Sequence, residues 1–144
     1  MAEGGTGFLF GAKSGEGRVL IVDDEPDIRK VVRMTLEKAG YECQEAEDGE
    51  KAIEIINLGD NRIMLDVIIC DIRMPKINGV EAIGYFQKEY SRVPLIVLTG
   101  FPDVEMATSF LRSGVVDYLV KPVEGEKLRA AVKKAMEQRE INRL

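Results

Sequence analysis

Three short runs of Val, Ile and Leu, each closed by a polar or charged residue, constrain this chain more than anything else in it. They are Arg18–Asp23 (RVLIVD), Asp66–Asp71 (DVIICD) and Pro94–Thr99 (PLIVLT). A strand that faces water on one side alternates apolar with polar residues; these runs are continuous, the pattern of strands covered on both faces. Parallel strands follow, because parallel sheets are roofed on both sides by their own crossover helices. Two weaker runs, Tyr41–Ala46 (YECQEA) and Val116–Lys121 (VDYLVK), bring the expected strands to five.

Helical patterns fill the intervals. Pro26 sits near the first position of one helix, whose Ile28, Val31, Val32, Leu36 and Ala39 recur at helical spacing until Gly40 stops it. Asp48 is a candidate N-cap for a second helix carrying Ala52, Ile53, Ile55 and Ile56, and Gly59 and Asp60 open the loop after it. The segment Gly59 to Leu65 is long for such a loop. A third helix is expected from about Val80 to Tyr90, and a fourth from Asp103 to Arg112 with Gly114 behind it. The last begins near Glu124 and carries Leu128, Ala131, Val132, Ala135 and Met136 on one stripe, with Lys127, Lys133, Lys134 and Arg139 mostly off it. Alternating strands and helices mean right-handed crossovers and the doubly wound α/β class.

At 144 residues the chain is sized for one domain. The glycines among residues 1–17 give an expected flexible tail; GAKSGEG at Gly11–Gly17 lacks the Gly immediately before Lys that a phosphate-binding loop requires. Residues 18–139 form the expected domain, and 140–144 a C-terminal tail or the start of a linker helix. No run approaches the roughly 20 apolar residues of a membrane span, and no secretion signal opens the chain, so a cytoplasmic location without membrane contact is expected. The net charge of −5 gives no footprint for direct nucleic-acid binding. With no histidine, His-based metal sites and Ser/His or Cys/His nucleophile pairs are excluded within the chain. Cys43 and Cys70 have no CxxC spacing and are expected to be reduced and buried.

In doubly wound sheets the functional crevice lies outside the carboxyl ends of the strands. There the chain places Asp23 and Asp24, then Asp71, Thr99 and Lys121 followed by Pro122. Converging carboxylates repel unless a cation lies among them, and all-oxygen ligands of this number suit Mg²⁺ (or Mn²⁺). A carboxylate beside a divalent cation, a lysine and a hydroxyl is an arrangement for accepting a phosphoryl group. Asp71 is the candidate nucleophile; Asp23 and Asp24 hold the metal; Lys121 pairs first with the carboxylate and then with the phosphoryl; Thr99 offers its hydroxyl. Taken singly, an Asp at a strand end is as well explained by a helix cap or an Asx turn.

IVDDE at Ile21–Glu25, DIRMPKINGVE at Asp71–Glu81, Thr99–Gly100 and DYLVKP at Asp117–Pro122 resemble the receiver domain of two-component response regulators. That resemblance implies a (βα)5, flavodoxin-like three-layer sandwich with a parallel five-stranded sheet in the order 2-1-3-4-5. It implies Asp71 as phospho-acceptor, Asp23, Asp24, Asp71 and the backbone carbonyl of Arg73 as the Mg²⁺ shell, and Thr99 with Tyr118 as the switch pair. Lys121 would precede a cis proline bond, and Pro75 and Gly79 would shape the loop beyond the acceptor. The phosphoryl donor would be a sensor histidine kinase or His phosphotransfer protein. The readout surface would be the fourth helix, fifth strand and fifth helix, where Val104, Phe110, Tyr118, Lys127, Lys133 and Lys134 are candidates for contact with an effector, an output domain or a second copy in a homodimer. Arg73 and Phe101 are bulky, flank the route to the acceptor, and are expected to retune dephosphorylation.

Three functions remain open on the sequence. One is a signalling module that catalyses only its own phosphorylation and dephosphorylation. Another is the N-terminal receiver fragment of a longer regulator with a DNA-binding or enzymatic output. The last is a haloacid-dehalogenase-like phosphatase, disfavoured because its nucleophile lies in a DxD pattern on the first strand, which Asp23–Asp24 is not.

Overall fold

The computed structural model describes residues 15–73 and 79–144. Five parallel strands form one sheet in the order β2-β1-β3-β4-β5. They are β1 (Gly17–Val22), β2 (Tyr41–Ala46), β3 (Val67–Asp71), β4 (Leu95–Thr99) and β5 (Asp117–Val120). The helices are α1 (Pro26–Lys38), α2 (Gly49–Ile56), α3 (Asn61–Met64), α4 (Gly79–Glu89), α5 (Val104–Arg112) and α6 (Gly125–Asn142). This is the doubly wound sheet expected from the three continuous apolar runs.

Successive strand residues point to opposite faces, so each run feeds two cores. Val19, Ile21, Val67, Ile69, Ile96 and Leu98 pack under α1 (Val32, Leu36) and α6 (Leu128, Ala131, Val132, Ala135). Leu20, Val22, Ile68, Cys70, Leu95 and Val97 pack on the other side, under α2 (Ala52, Ile56), α4 (Ala82, Ile83, Phe86) and Phe110 of α5. Register aligns Ile21 with Ile69 and Ile69 with Ile96, so one branched apolar row crosses the middle of the sheet.

The local signals act as read. Pro26 occupies the start of α1, and the Asp48 carboxylate accepts the Lys51 N–H at 2.8 Å as the cap of α2. Gly40 and Gly114, the expected helix stops, sit at φ +97° and +105°, where a side chain would be strained. The tail expected over residues 1–17 is described only from Gly15. There the Glu16 N–H donates to the Gly40 carbonyl and Gly17 already opens β1.

Two expectations need correcting. The segment after α2 is not merely a long loop: α3 forms in it because buried Asn61 donates to Gln44 of β2 at 2.9 Å and to the Ile55 carbonyl at 2.7 Å. Arg139 is not off the buried stripe of α6. It is 5% exposed, its stem continues the row from Leu128 to Ala135, and its guanidinium donates to the carbonyls of Arg92 and Ile63. No helix among the described residues is long and apolar enough to cross a membrane.

Candidate functional site

Because β1 and β3 are adjacent and parallel, their carboxyl ends bring Asp23 and Asp71 side by side at the point where the strand order reverses. Asp23 follows Val22, its N–H held by the Ala46 carbonyl at 3.1 Å, and its Oδ1 accepts the Glu25 N–H at 2.8 Å in an Asx-type turn. Arg29 of α1 donates to the Asp23 carbonyl at 2.6 Å and to Glu45 of β2 at 2.9 Å, fixing this corner from below. Asp71 ends β3, with its Oδ1 accepting the Arg73 N–H at 3.0 Å. Both carboxylates are buried, at 1% and 3% exposure.

Lys121 enters from the end of β5. Its Nζ lies 2.7 Å from Asp23 Oδ2, 3.0 Å from Asp71 Oδ2 and 3.0 Å from Glu25 Oε1. The lysine backbone N–H donates to the Thr99 carbonyl at 2.8 Å, and the Lys121–Pro122 bond is cis. Thr99, wholly buried at the end of β4, accepts the Phe101 N–H on its hydroxyl oxygen at 3.0 Å, which leaves its hydroxyl proton to be donated elsewhere.

Four carboxylates converge here: one oxygen each from Asp23, Asp24, Glu25 and Asp71 lie within 4.8 Å of one another. Burial pushes the Asp23 carboxyl above the ordinary range, and the Asp71 charge adds to that, against the opposing pull of Lys121 and the Glu25 N–H. Burial alone would lower the Lys121 ammonium, but the pull of the Asp23, Glu25 and Asp71 carboxylates outweighs it and holds it well above its usual value. Asp23 Oδ2 is buried and meets Lys121 as an ion pair without hydrogen-bond geometry. Its acceptor capacity is therefore unspent, and an oxygen-only donor set with a spare buried lone pair fits a hard divalent cation.

All the candidates read at the strand ends are brought together. Arg73 lies beside them, its guanidinium stacked over the Phe101 ring at 4.1 Å from the centroid. Behind that pair a cleft of about 460 Å³ is lined by Ile72, Val80, Gly100, Pro102 and Met106, among others. Tyr118 stands apart from the carboxylates: its hydroxyl accepts the Asp103 N–H at 3.3 Å at the start of α5, and its ring stacks on Phe110. Phe110 is buried, so it leaves the set of exposed partner candidates, whereas Val104 is among the most exposed apolar side chains. Pro75 lies outside the described residues, and Gly79 is the first residue of α4. Cys43 and Cys70 are buried free thiols, as expected. Glu25 is the residue sequence reasoning missed. Its only signal was its place directly after Asp23–Asp24, where it serves as the backbone N-cap of α1 while its carboxylate turns to Lys121.

Residues 19–133 match the family model of the response regulator receiver domain. The regulatory protein AtoC of Escherichia coli is 33% identical over 83% of this chain and 25% of its own length. The transcriptional regulatory protein YrkP of Bacillus subtilis is 38% identical over 80% of this chain and 47% of its own. This chain thus spans between a quarter and a half of these relatives. A response regulator receiver domain protein from Clostridium thermocellum superposes with TM-score 0.79 at 29% identity, over 87% of this chain and 98% of that one. NtrX of Brucella abortus gives 0.77 at 28% identity, over 88% of this chain and 28% of that one.

Proposed function

The chain belongs to the response regulator receiver family, the signalling domain of two-component systems, and from that premise we propose that Asp71 is its phospho-acceptor. The observation that carries the reading is the Lys121 ammonium, poised between Asp71 at 3.0 Å and Asp23 at 2.7 Å. A carboxylate oxygen of Asp71 forms the bond to phosphorus while the P–N bond of a phosphohistidine donor breaks, its electron pair leaving on the imidazole nitrogen. Asp23, Asp24, Asp71 and the Arg73 carbonyl would hold Mg²⁺ (or Mn²⁺), which supplies positive charge to the phosphoryl oxygens. Lys121 shifts its hydrogen bond from the carboxylate to a phosphoryl oxygen, and the free Thr99 proton is donated to another.

The chain acts on itself alone: it accepts and loses the phosphoryl group and turns over no other substrate. The donor is a sensor histidine kinase or a His phosphotransfer protein. Movement of Thr99 toward the phosphoryl group empties the space beside Tyr118, whose ring turns inward from its hydrogen bond at Asp103, and the face of α5, β5 and α6 changes with it. That face meets the effector, or pairs two copies.

A second reading has its own support. The chain spans only part of its relatives, and α6 runs eighteen residues to Asn142, so the domain also suits a regulator whose output follows the last helix. Both readings share the site and its test. Uptake of beryllofluoride, the phosphoryl mimic, is expected to require Mg²⁺ and to vanish in Asp71→Asn. Uptake that persists in the variant would remove Asp71 from its role.

A further inference from the structure

A second charged site lies at the opposite end of the strands, near the amino end of β3. Asp66, just before β3, and Asp71, its last residue, stand roughly 17 Å apart at about 3.3 Å per residue. Beside Asp66, between α3, the turn after α4 and the last turns of α6, opens a cleft of about 430 Å³. Four guanidiniums line it: Arg62, Arg92, Arg139 and Arg143. Glu89 is in the same wall, Asp66 pairs with Arg143 at 3.0 Å, and Glu140 pairs with Arg143 at 3.4 Å. Positive charge remains in excess after all three carboxylates are counted, in a chain whose net charge is −5.

These arginines are not all spent on the fold. Arg139 is, through its bonds to the carbonyls of Arg92 and Ile63, yet its Nε is buried without a hydrogen-bond partner, 3.7 Å from Asp66. Burial, then the charge of Arg143, lower its pKa against the opposing pull of Asp66. Arg62 gives its Nε to Asn57 and lies over the Tyr90 ring at 5.3 Å, which holds the guanidinium in place while its terminal nitrogens stay available. The Arg92 guanidinium makes no hydrogen bond or ion pair among the described residues. Planar forks of this kind match phosphate oxygens two at a time, and an anion held by several of them needs no metal.

We propose that this cleft, where Arg62 and Arg92 present free guanidinium nitrogens and Arg139 and Arg143 complete the wall, is a binding site for a small molecule bearing a phosphate or diphosphate group. It is separate from the acceptor end and gives α6, through Arg139 and Arg143, a second input. The proposal does not depend on the role of Asp71.

Titration calorimetry of the whole chain with inorganic pyrophosphate, in a metal-free buffer with chelator, tests it. Arg62 and Arg92 are exposed, so Arg62→Gln with Arg92→Gln leaves the core intact. Pyrophosphate is expected to bind the parent chain, to bind the double variant about tenfold or more weakly, and to bind Asp71→Asn as the parent does. Lys133→Gln with Lys134→Gln, on another face of α6, is the charge control and should change affinity by less than about twofold. A nucleoside diphosphate that binds as tightly as pyrophosphate assigns the site to the diphosphate group, and one that binds more tightly adds a contact to the rest of the nucleotide. No heat with pyrophosphate at millimolar concentration, or equal loss in the arginine and lysine pairs, would overturn the proposal.

Discussion

The guanidinium of Arg73 lies over the ring of Phe101, 4.1 Å from its centroid, and joins the loop after β3, whose Arg73 N–H bonds Asp71, to the loop after β4. On the proposed mechanism a hydrolytic water reaches phospho-Asp71 past this pair. Exposed cation–π contacts are worth about 0.5–1 kcal/mol. Opening the gate by Arg73→Asn is therefore expected to speed dephosphorylation by about twofold to fivefold, and Phe101→Ala to do the same without adding to it. Asn keeps the backbone N–H that bonds Asp71 Oδ1, so acceptor geometry is retained. Phosphoryl half-lives of the single and double variants measure this, and unchanged half-lives would remove the gate.

The convergence of four carboxylates within 4.8 Å sets stability against binding. Asp24 is exposed and contributes repulsion without core contacts, so Asp24→Asn is expected to raise the melting temperature of the metal-free protein by a few degrees. In the parent, saturating Mg²⁺ at about 100 times its dissociation constant should add about 2.7 kcal/mol of stability, and this increment should largely vanish in the variant. Thermal melts with Mg²⁺ and with chelator give both numbers. An Mg²⁺ increment that survives in Asp24→Asn would remove this residue from the metal site.

Glu45 carries a pH dependence that can be read apart from the acceptor site. Burial alone would raise its carboxyl, but hydrogen bonds from Arg33 at 2.8 Å and Arg29 at 2.9 Å outweigh that and hold it below the ordinary 4.5. A carboxyl depressed by folding stabilises the protein above its unfolded pKa and loses that contribution as pH falls through the folded value. Glu45→Gln is therefore expected to cost about 0.5–1 kcal/mol at pH 7, allowing for solvent screening, with the difference from the parent closing as pH falls below 4.5. Urea denaturation at a series of pH values measures it. A pH-independent difference would assign the loss to packing.

The parts legible in the sequence are those whose cause is local. β1, β3 and β4 declare themselves because burial on both faces leaves no room for polar alternation, and Asp23, Asp71, Thr99 and Lys121 follow because parallel strands deliver their carboxyl ends to one edge. What was hidden depends on partners far along the chain. Four residues of α3 are too few for a helical period, and the segment is tied through Asn61 to Gln44 on another strand. Glu25 meets Lys121 across 96 residues of sequence, and Arg139 meets the Ile63 carbonyl across 76. An arginine on a charged helix reads as solvated until the fold supplies carbonyls to receive it. The arginine cleft was hidden for the same reason, as its four guanidiniums come from three separate segments.

The last helix is fastened by a buried carboxylate, and that fastening makes a prediction about how much of the chain's end is part of the domain. Asp66 is wholly buried just before β3, where Oδ2 accepts the Arg18 N–H at 2.9 Å and Oδ1 accepts Arg143 at 3.0 Å. Arg143 lies beyond the last helical residue, so this ion pair closes α6 onto the amino end of the central strand. Removing one partner of a buried pair leaves the other uncompensated, at about 3–5 kcal/mol when the remaining charge is fully enclosed. Asp66 keeps the Arg18 N–H and nearby Arg139, so Arg143→Ala is expected to cost less, about 1–2 kcal/mol. Asp66→Ala, which strands buried Arg139 and the Arg18 N–H together, is expected to cost the full amount. Hydrogen exchange separates the two effects: Arg143→Ala should release amides only from about residue 138 onward, whereas Asp66→Ala should also expose those of α3 and the start of β3. Exchange in the last turn that does not change in Arg143→Ala would mean that Arg139 alone holds the helix.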